Sequence, residues 1–202
     1  MKTKFWIIGF VLFCFTGCLL ANHYNLFKLS NITEYQTPGY TKKHQDSLIK
    51  FAKENGYNAH LGIFINFSKH SGGNRLFLVD LDSNKLLVQG LCCHGRGKNN
   101  FKERVIFSNE IGGNCSSKGF YKIGYKYNGT FGTAYKLTGL SPTNSNAFDR
   151  FVVLHGHDCV PNSPVPVSIC QSLGCPTLAP EVLKKLEPYL DNSKKPVLIW
   201  IY

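Results

Sequence analysis

The sequence predicts a mainly β domain with one or two peripheral helices. From residue 61 onward, short runs of β-branched and aromatic residues alternate with a period of two. Turn-forming segments at residues 71–74 and 82–85 separate the first of these runs. Two other stretches, one before the runs and one near the C-terminus, have apolar residues at helical spacing. Together these patterns indicate a mostly antiparallel sheet.

Residues 41–55 form the first predicted helix, because Leu48, Ile49 and Ala52 share one face while lysines lie on the other. Gly56 is typical of the position just after a helix ends. The second predicted helix covers residues 180–190. A tight turn is predicted at Asn128 and Gly129. The predicted strands cover residues 61–67, 75–81, 86–93, 119–126, 134–140, 151–154 and 197–202.

The composition allows one packed domain. The chain has 202 residues, of which 43% are hydrophobic and 17% are charged. This apolar content suffices for one core and is too small for two sizeable ones. The composition also excludes an intrinsically disordered chain, a collagen and a coiled coil.

The net charge is +11, from 23 lysines and arginines against 12 aspartates and glutamates. These basic residues are scattered and form no run of the kind that binds nucleic acid. We therefore expect a mildly basic surface that favours an anionic matrix, and no nucleic-acid partner. The sequence leaves the oligomeric state open.

The N-terminus is typical of an exported protein. Lys2 and Lys4 precede an apolar run over residues 5–15, and two small residues and Cys18 follow. Residues 15–18 resemble a bacterial lipobox, in which Cys18 is lipidated and anchors the protein to the membrane. Ordinary signal cleavage near residue 21 and an uncleaved anchor are the alternatives. All three predict a periplasmic or cell-envelope protein.

The predicted organisation has three parts. Residues 1–21 form the export segment, and the polar stretch at residues 22–40 is a tether. Residues 41–202 form a single domain that includes the N-terminal helix.

Six cysteines lie beyond the export segment, where an oxidising compartment favours their pairing. If one of them is kept reduced for chemistry, the other five cannot all pair. Cys159 and Cys170 flank a proline-rich loop, and we hypothesise a disulfide that rigidifies this loop. The other connectivities stay open. The six residues are Cys92, Cys93, Cys115, Cys159, Cys170 and Cys175.

The segment from residue 151 to residue 176 concentrates the reactive side chains. An apolar strand leads into His155, and the proline-rich loop separates this strand from Cys175. A nucleophilic thiol needs a nearby base, because the thiolate is the reactive form and an imidazolium stabilises it. Gly174 lets the backbone approach the thiol closely, where amide N–H groups can hold a developing oxyanion. Gly156 keeps the region beside His155 open.

A zinc site is the rival interpretation of this segment. His155, His157 and Cys159 alternate on one extended face, with Cys170 and Cys175 close in sequence. Such ligands can hold a tetrahedral metal ion. The set lacks the tight paired spacings of structural zinc sites, and disulfide formation competes for its thiols. We therefore expect no metal.

His155-Gly156, followed twenty positions later by Cys175 within residues 172–176, resembles the L,D-transpeptidase catalytic domain of the YkuD-like family. The resemblance is closest to the murein L,D-transpeptidase catalytic domain-like branch. It covers roughly residues 60–202 and implies a mixed β-sandwich with one or two peripheral helices. Further segments that carry it, in the same order, are residues 66–72, 93–97, 107–110, 116–121 and 127–129.

The resemblance implies a thiol acyltransferase that acts on peptidoglycan stem peptides and needs no cofactor. Cys175 would attack the carbonyl of the third stem residue and form a thioester while the terminal D-amino acid leaves. His155 would take the thiol proton and later deprotonate the acceptor amine, with its ring oriented by the Gly156 carbonyl. The amides near Gly174 and Cys175 would form the oxyanion hole, and Ser172 would support the loop by hydrogen bonding.

Substrate binding is the least defined part of this expectation. Leu173 replaces a histidine that is usual in the wider family, and residues 176–177 replace a polar stretch. The group that holds the donor carboxylate is therefore open between Arg96, Arg150 and the lysines. An L,D-carboxypeptidase using water at the same site, and a non-catalytic cell-wall binding module, are the alternative functions. The candidate substrate-binding residues are His94, Tyr121, Arg150 and His157.

Overall fold

The computed structural model of the protein describes residues 39–98 and 104–202. The predicted export segment, with Cys18, and the predicted tether up to residue 38 lie outside the described residues. Within the two described ranges, no helix is long and apolar enough to cross a membrane.

The described residues contain two α-helices, α1 at Lys42–Glu54 and α2 at Pro180–Asp191, each within one residue of its predicted ends. The Thr41 side chain caps α1 by accepting a backbone N–H of the first turn. Gly56 follows the end of α1 with a φ of 75°, a conformation that favours glycine. In α2, Pro180 lies in the first turn, where its missing N–H leaves no hydrogen bond unmade, whereas Pro188 lies inside the helix.

In the part of the chain that the structure describes, nine strands form one mixed sheet in the order β3-β2-β1-β9-β5-β6-β7-β8-β4. Most neighbouring strands of the described residues run antiparallel, whereas β1 pairs with β9, and β7 with β8, in parallel. The expected mainly β fold with two helices is therefore confirmed. The strands are β1 Leu61–Ile65, β2 Leu76–Asp80, β3 Lys85–Gly90, β4 Cys92–Cys93, β5 Gly119–Gly129, β6 Gly132–Gly139, β7 Val153–Gly156, β8 Thr177–Leu178 and β9 Leu198–Ile201.

The sheet curls until its two edges nearly meet. Strands β3 and β4 lie at opposite ends of the strand order, yet a single residue, Leu91, connects them in sequence. Leu91 is fully buried. Because one residue spans only about 3.5 Å, the two edge strands must lie next to each other where the chain crosses between them.

Both faces of the sheet are covered by apolar side chains, which alternate with a period of two. In β1, Ile63 and Ile65 belong to the larger core cluster, whereas Phe64 belongs to a second cluster on the opposite face. The helix α2 contributes Leu186 and three other buried residues to the larger cluster. The helix α1 covers the second cluster with Leu48 and Ala52.

Four details differ from the sequence-based expectation. The strand predicted over residues 86–93 is divided at Leu91 into β3 and β4, which lie at opposite ends of the strand order. The β5–β6 turn lies at residues 130–131 rather than at residues 128–129, because Gly129 still pairs with Gly132. Strand β7 begins at Val153, since Phe151 has a φ of 56° and cannot extend the strand. Strand β8 was not predicted, because a two-residue strand carries no periodicity.

The last two residues of the predicted tether pack against the folded domain. The Tyr40 ring stacks on Phe64 with 5.1 Å between ring centroids. The Gly39 carbonyl accepts hydrogen bonds from the Tyr202 hydroxyl at 2.6 Å and from the Asn66 side chain at 2.9 Å. These contacts attach residues 39–40 to the sheet.

We expect the substitution Leu48→Ala to lower the free energy of unfolding by about 2–5 kcal/mol, because Leu48 is fully buried between α1 and the sheet. Denaturant unfolding followed by circular dichroism measures this change. The exposed Lys43→Ala on the same helix is the control, with an expected change within about 0.5 kcal/mol. Equal losses in both variants would contradict the packing role of α1.

Candidate active site

A cleft of about 410 Å³ opens where β7 and β8 meet the end of the β5–β6 hairpin. It brings together His155, His157 and Cys175, which are predicted site residues. The exposed Leu173 and Phe131 also line it. The other lining residues include Tyr127, Val153, Cys159, Gln171, Ser172 and Thr177.

The Cys175 thiol is not part of a disulfide and is only partly exposed. Its Sγ accepts the Val153 backbone N–H at 3.4 Å and donates to the Phe151 carbonyl at 3.8 Å. Phe151, which supplies this carbonyl, has a left-handed backbone with a φ of 56° and lies just before β7. The sulfur is therefore held in place by two backbone groups of one short segment.

Ser172 supports the loop that carries the thiol. Its Oγ accepts the Gly174 N–H at 3.1 Å and donates to the Cys175 carbonyl at 2.7 Å. Gly174 has a φ of 121°, and a Cβ there would lie 2.8 Å from the Cys115 carbonyl oxygen, so only glycine fits. Because the Gly174 N–H is used within the loop, it does not face the cleft as the expected oxyanion donor.

The nucleophile loop is also tied to the rest of the domain by its backbone. The Ser172 N–H donates to the His94 carbonyl and the Ser172 carbonyl accepts the Arg96 N–H, both at 2.9 Å. The Ser116 hydroxyl donates to the Gly174 carbonyl at 3.3 Å. Residues 94–96 and Ser116, which do not line the cleft, thus hold the loop in place through hydrogen bonds.

His155 lies in β7 and is 8% exposed. Its Nδ1 is 2.9 Å from the Gly156 carbonyl oxygen. Because a carbonyl only accepts hydrogen bonds, Nδ1 carries the proton and Nε2 is left as the basic nitrogen. Nε2 lies 3.0 Å from the Thr177 hydroxyl, which the parallel register places beside His155.

Thr177 is a site residue that sequence reasoning missed. It lies two residues after Cys175, and its Oγ1 is also 3.3 Å from the Cys175 carbonyl oxygen. The pairing of β7 with β8 brings it to the imidazole, and no local pattern announces that pairing. The Gly156 carbonyl lies where the resemblance expects it, at His155 Nδ1, and the missing side chain has a further reason, since a Cβ there would lie 3.1 Å from Pro180 at the start of α2.

Burial keeps both reacting groups uncharged near neutral pH. It lowers the pKa of His155, an effect that the Gly156 carbonyl partly offsets and the nearby His157 reinforces. Burial also raises the pKa of the Cys175 thiol, against the opposing influence of the Val153 N–H and the charges of Arg150 and Lys136. The resting pair is therefore a thiol and a neutral imidazole.

Phe131 covers one side of the histidines. Its ring stacks on His155 with 5.3 Å between centroids and lies 4.9 Å from the ring of His157. His157 is fixed in turn, because its Nδ1 accepts the Cys159 N–H at 3.0 Å. Phe131 lies in the tight turn of the hairpin, where an apolar residue was not expected to reach the site.

Three of the expected substrate-binding residues support the cleft instead of lining it within the described part of the chain. His94 is 2% exposed, and its Nδ1 lies 3.2 Å from the buried Arg75 guanidinium. The Tyr121 hydroxyl bonds to Ser117 in the core. The Arg150 guanidinium donates to the Ser117 hydroxyl and to the Ser108 and Cys115 carbonyls.

The hypothesised disulfide between Cys159 and Cys170 is confirmed. It overturns the zinc alternative, since it removes the thiolates of both residues. The donor atoms of Cys93, Cys159 and Cys170 do lie within 4.8 Å of one another. Two of these three described residues are joined in the disulfide, and the group includes neither His155 nor His157.

A sequence profile of the L,D-transpeptidase catalytic domain matches residues 35–202. The chain belongs to the L,D-transpeptidase catalytic domain family. The family supports a transpeptidase-type function on peptidoglycan. The expected family is therefore confirmed over most of the chain.

Comparison with solved structures finds a similarity of this L,D-transpeptidase domain to a crystal structure of the L,D-transpeptidase (residues 123–326) from Xylanimonas cellulosilytica DSM 15894. The two chains are 14% identical, with a TM-score of 0.38, and the match covers 76% of this chain and 68% of the other. A search of curated proteins finds no match.

We expect the double substitution Cys159→Ser/Cys170→Ser to lower the free energy of unfolding by about 3 kcal/mol, the usual loss for a loop of this length. Both residues must be changed, because Cys93 Sγ lies 3.2 Å from Cys170 Sγ and would replace a single missing partner. Urea unfolding measures the loss.

The control for this prediction is the reducing agent itself. Reduction should lower the stability of the native protein to that of the double variant and leave the variant unchanged. Native stability that is insensitive to reduction would refute a stabilising disulfide.

Proposed function

We propose that this protein is an exported cysteine acyltransferase that acts on peptidoglycan stem peptides through a thioester at Cys175. One observation carries the proposal: a thiol outside any disulfide and a neutral imidazole line the same 410 Å³ cleft of an L,D-transpeptidase domain. Thiols paired with histidine bases are efficient nucleophiles toward acyl groups.

In the first half-reaction, Cys175 Sγ attacks the carbonyl carbon of the third stem residue as its proton moves to His155 Nε2. Nε2 becomes available when the Thr177 hydroxyl turns toward the Cys175 carbonyl, 3.3 Å from its oxygen. The bond to the terminal D-amino acid then breaks, and the imidazolium returns the proton to the departing amine. The thioester remains on the sulfur.

We assign the backbone N–H of Cys175 as the hydrogen-bond donor that stabilises the oxyanion formed in this step. The neighbouring Gly174 N–H is held by Ser172 Oγ at 3.1 Å. A donor fixed by the loop backbone needs no reorganisation when the negative charge develops.

In the second half-reaction, an acceptor amine attacks the thioester carbon, His155 takes the amine proton, and the thiol is restored. Phe131 lies over the imidazole, and with Tyr127 and Leu173 it gives the cleft an apolar rim. An apolar rim disfavours water at the thioester, which supports transfer to an amine over hydrolysis. A carboxypeptidase would use water in the same position.

Three observations support an extracytoplasmic location. Residues 2–18 have the pattern of a signal segment, with Cys18 as the proposed site of a membrane-anchoring lipid. Disulfides such as the one between Cys159 and Cys170 persist in oxidising compartments. The net charge of +11 suits the anionic polymers of a cell envelope.

Incubating the protein with a purified stem tetrapeptide should give an adduct on Cys175, detected by intact mass and peptide mapping. Cys175→Ala should give no adduct, and His155→Gln should slow adduct formation by about 10²–10⁴-fold, since it removes the base. Cys115→Ala is the control, because Cys115 is a buried thiol outside the cleft lining and should leave the rate unchanged.

Wall fragments that bind equally to the native protein and to Cys175→Ala, with no turnover by either, would contradict the proposal and favour a binding module. Release of free tripeptide in place of a cross-linked product would identify a carboxypeptidase.

At low pH, the fall of kcat/KM should reflect the protonation of His155. Because burial holds the pKa of His155 below its ordinary 6.5, the base stays neutral at pH 7 and is lost only at lower pH. We expect kcat/KM to fall about tenfold per pH unit below this midpoint. A pH profile of the native protein measures it, and an acid midpoint above pH 6.5 would contradict the neutral imidazole.

A further inference from the structure

Lys136 is a buried cation on the face of the sheet that forms the cleft. It is 6% exposed and lies in β6, opposite Val153 of β7. In the same ladder, Ala134 lies opposite His155. Directly opposed residues and residues two apart share a face, so the Lys136 side chain lies on the face that carries Val153 and His155. Ala134, Val153 and His155 all line the cleft.

The ammonium group of Lys136 is held in place by the segment that also holds the sulfur. Its Nζ donates to the Phe148 carbonyl at 2.9 Å and lies 4.3 Å and 4.9 Å from the ring centroids of Phe148 and Phe151. Cys175 Sγ donates to the Phe151 carbonyl and accepts the Val153 N–H. Lys136 and Cys175 therefore share two neighbours. Phe151 contacts both side chains, and Val153 pairs with Lys136 in the β6–β7 ladder while its N–H donates to Cys175 Sγ.

The cost of burying this charge is only partly offset by its own contacts. Among the described residues, the direct contacts of the Lys136 ammonium are one carbonyl and two ring faces, and no carboxylate forms an ion pair with it. An anion that forms at Cys175 during the reaction would supply the missing charge complement.

We propose that Lys136 is a positioning residue for the acyl transfer, whose buried ammonium stabilises the Cys175 thiolate as the sulfur loses its proton. This inference rests on the proposed function, because that function assigns the attack to Cys175. His155 then takes the proton from the Cys175 thiol, and Lys136 stabilises the thiolate that results. Both residues lie on the same face of the sheet.

The other ionisable groups around Cys175 Sγ leave the electrostatic potential at the sulfur positive. Arg150, from the segment before β7, adds a second cation whose guanidinium is already bound to Ser108, Cys115 and Ser117. His155 is neutral at pH 7, and His157 stands behind it. The exposed Asp149 carboxylate acts on Lys136. The remaining groups are the uncharged phenols of Tyr121 and Tyr127 in β5.

The test is the pH dependence of iodoacetamide alkylation at Cys175 in the full chain, followed by peptide mapping. Removing the charge in Lys136→Met should move the alkylation midpoint to higher pH and lower the rate at pH 7.5 by about three- to tenfold. Lys136→Arg keeps the charge and should restore the native midpoint. Lys122→Met, which removes a half-buried lysine from β5 on the same face, should not shift it.

A second neutral variant keeps the test possible if the first one does not fold. If Lys136→Met does not fold, Lys136→Gln keeps a donor for the Phe148 carbonyl and should show the same shift. Native midpoints in the folded neutral variants, or a shift in Lys136→Arg equal to that in Lys136→Met, would overturn the inference.

Alkylation needs no stem peptide, so this inference and the proposed function fail separately. A shifted midpoint without a stem-peptide adduct would reject the proposed substrate and retain the role of Lys136. An adduct with an unshifted midpoint would retain the substrate and reject that role.

Discussion

The parallel pairing of β7 with β8 is the constraint on which the candidate active site depends. It places His155 beside Thr177 and thereby sets the imidazole close to a thiol that follows it by twenty residues. The intervening chain contains the Cys159–Cys170 disulfide, which shortens the path between the two strands. A slip of one residue in this pairing would turn position 177 to the opposite face and remove the partner of Nε2.

The second determinant is the low polarity of the cleft. Its walls keep the thiol and the imidazole neutral at rest, so little charge is buried before a substrate binds. Charge that develops during a reaction in such surroundings interacts more strongly with fixed dipoles and cations than it does in water. The loop carbonyls and amides around Cys175 are fixed by Ser172 and Gly174, so they do not need to reorient.

Local sequence patterns predicted most of the fold and the two central site residues. The helices and the longer strands followed from apolar spacing, and the family resemblance pointed to His155 and Cys175. Pairing across strands left no such trace, which is why Thr177, Phe131 and Lys136 emerged only from the three-dimensional arrangement. The expected substrate-binding residues His94, Tyr121 and Arg150 do not line the cleft, and the sequence could not show this for the same physical reason. Their polar groups have buried partners inside the domain, which a one-dimensional pattern does not reveal.

The short distance between Cys93 and Cys170 has a consequence for oxidative folding. Cys170 has two sulfur neighbours, Cys159 through its bond and Cys93 at 3.2 Å, so an isomeric bridge is within geometric reach. Burial raises the pKa of Cys93 to about 12, which leaves almost no thiolate to attack at neutral pH. The native bridge is thus protected kinetically, by the rarity of the attacking anion.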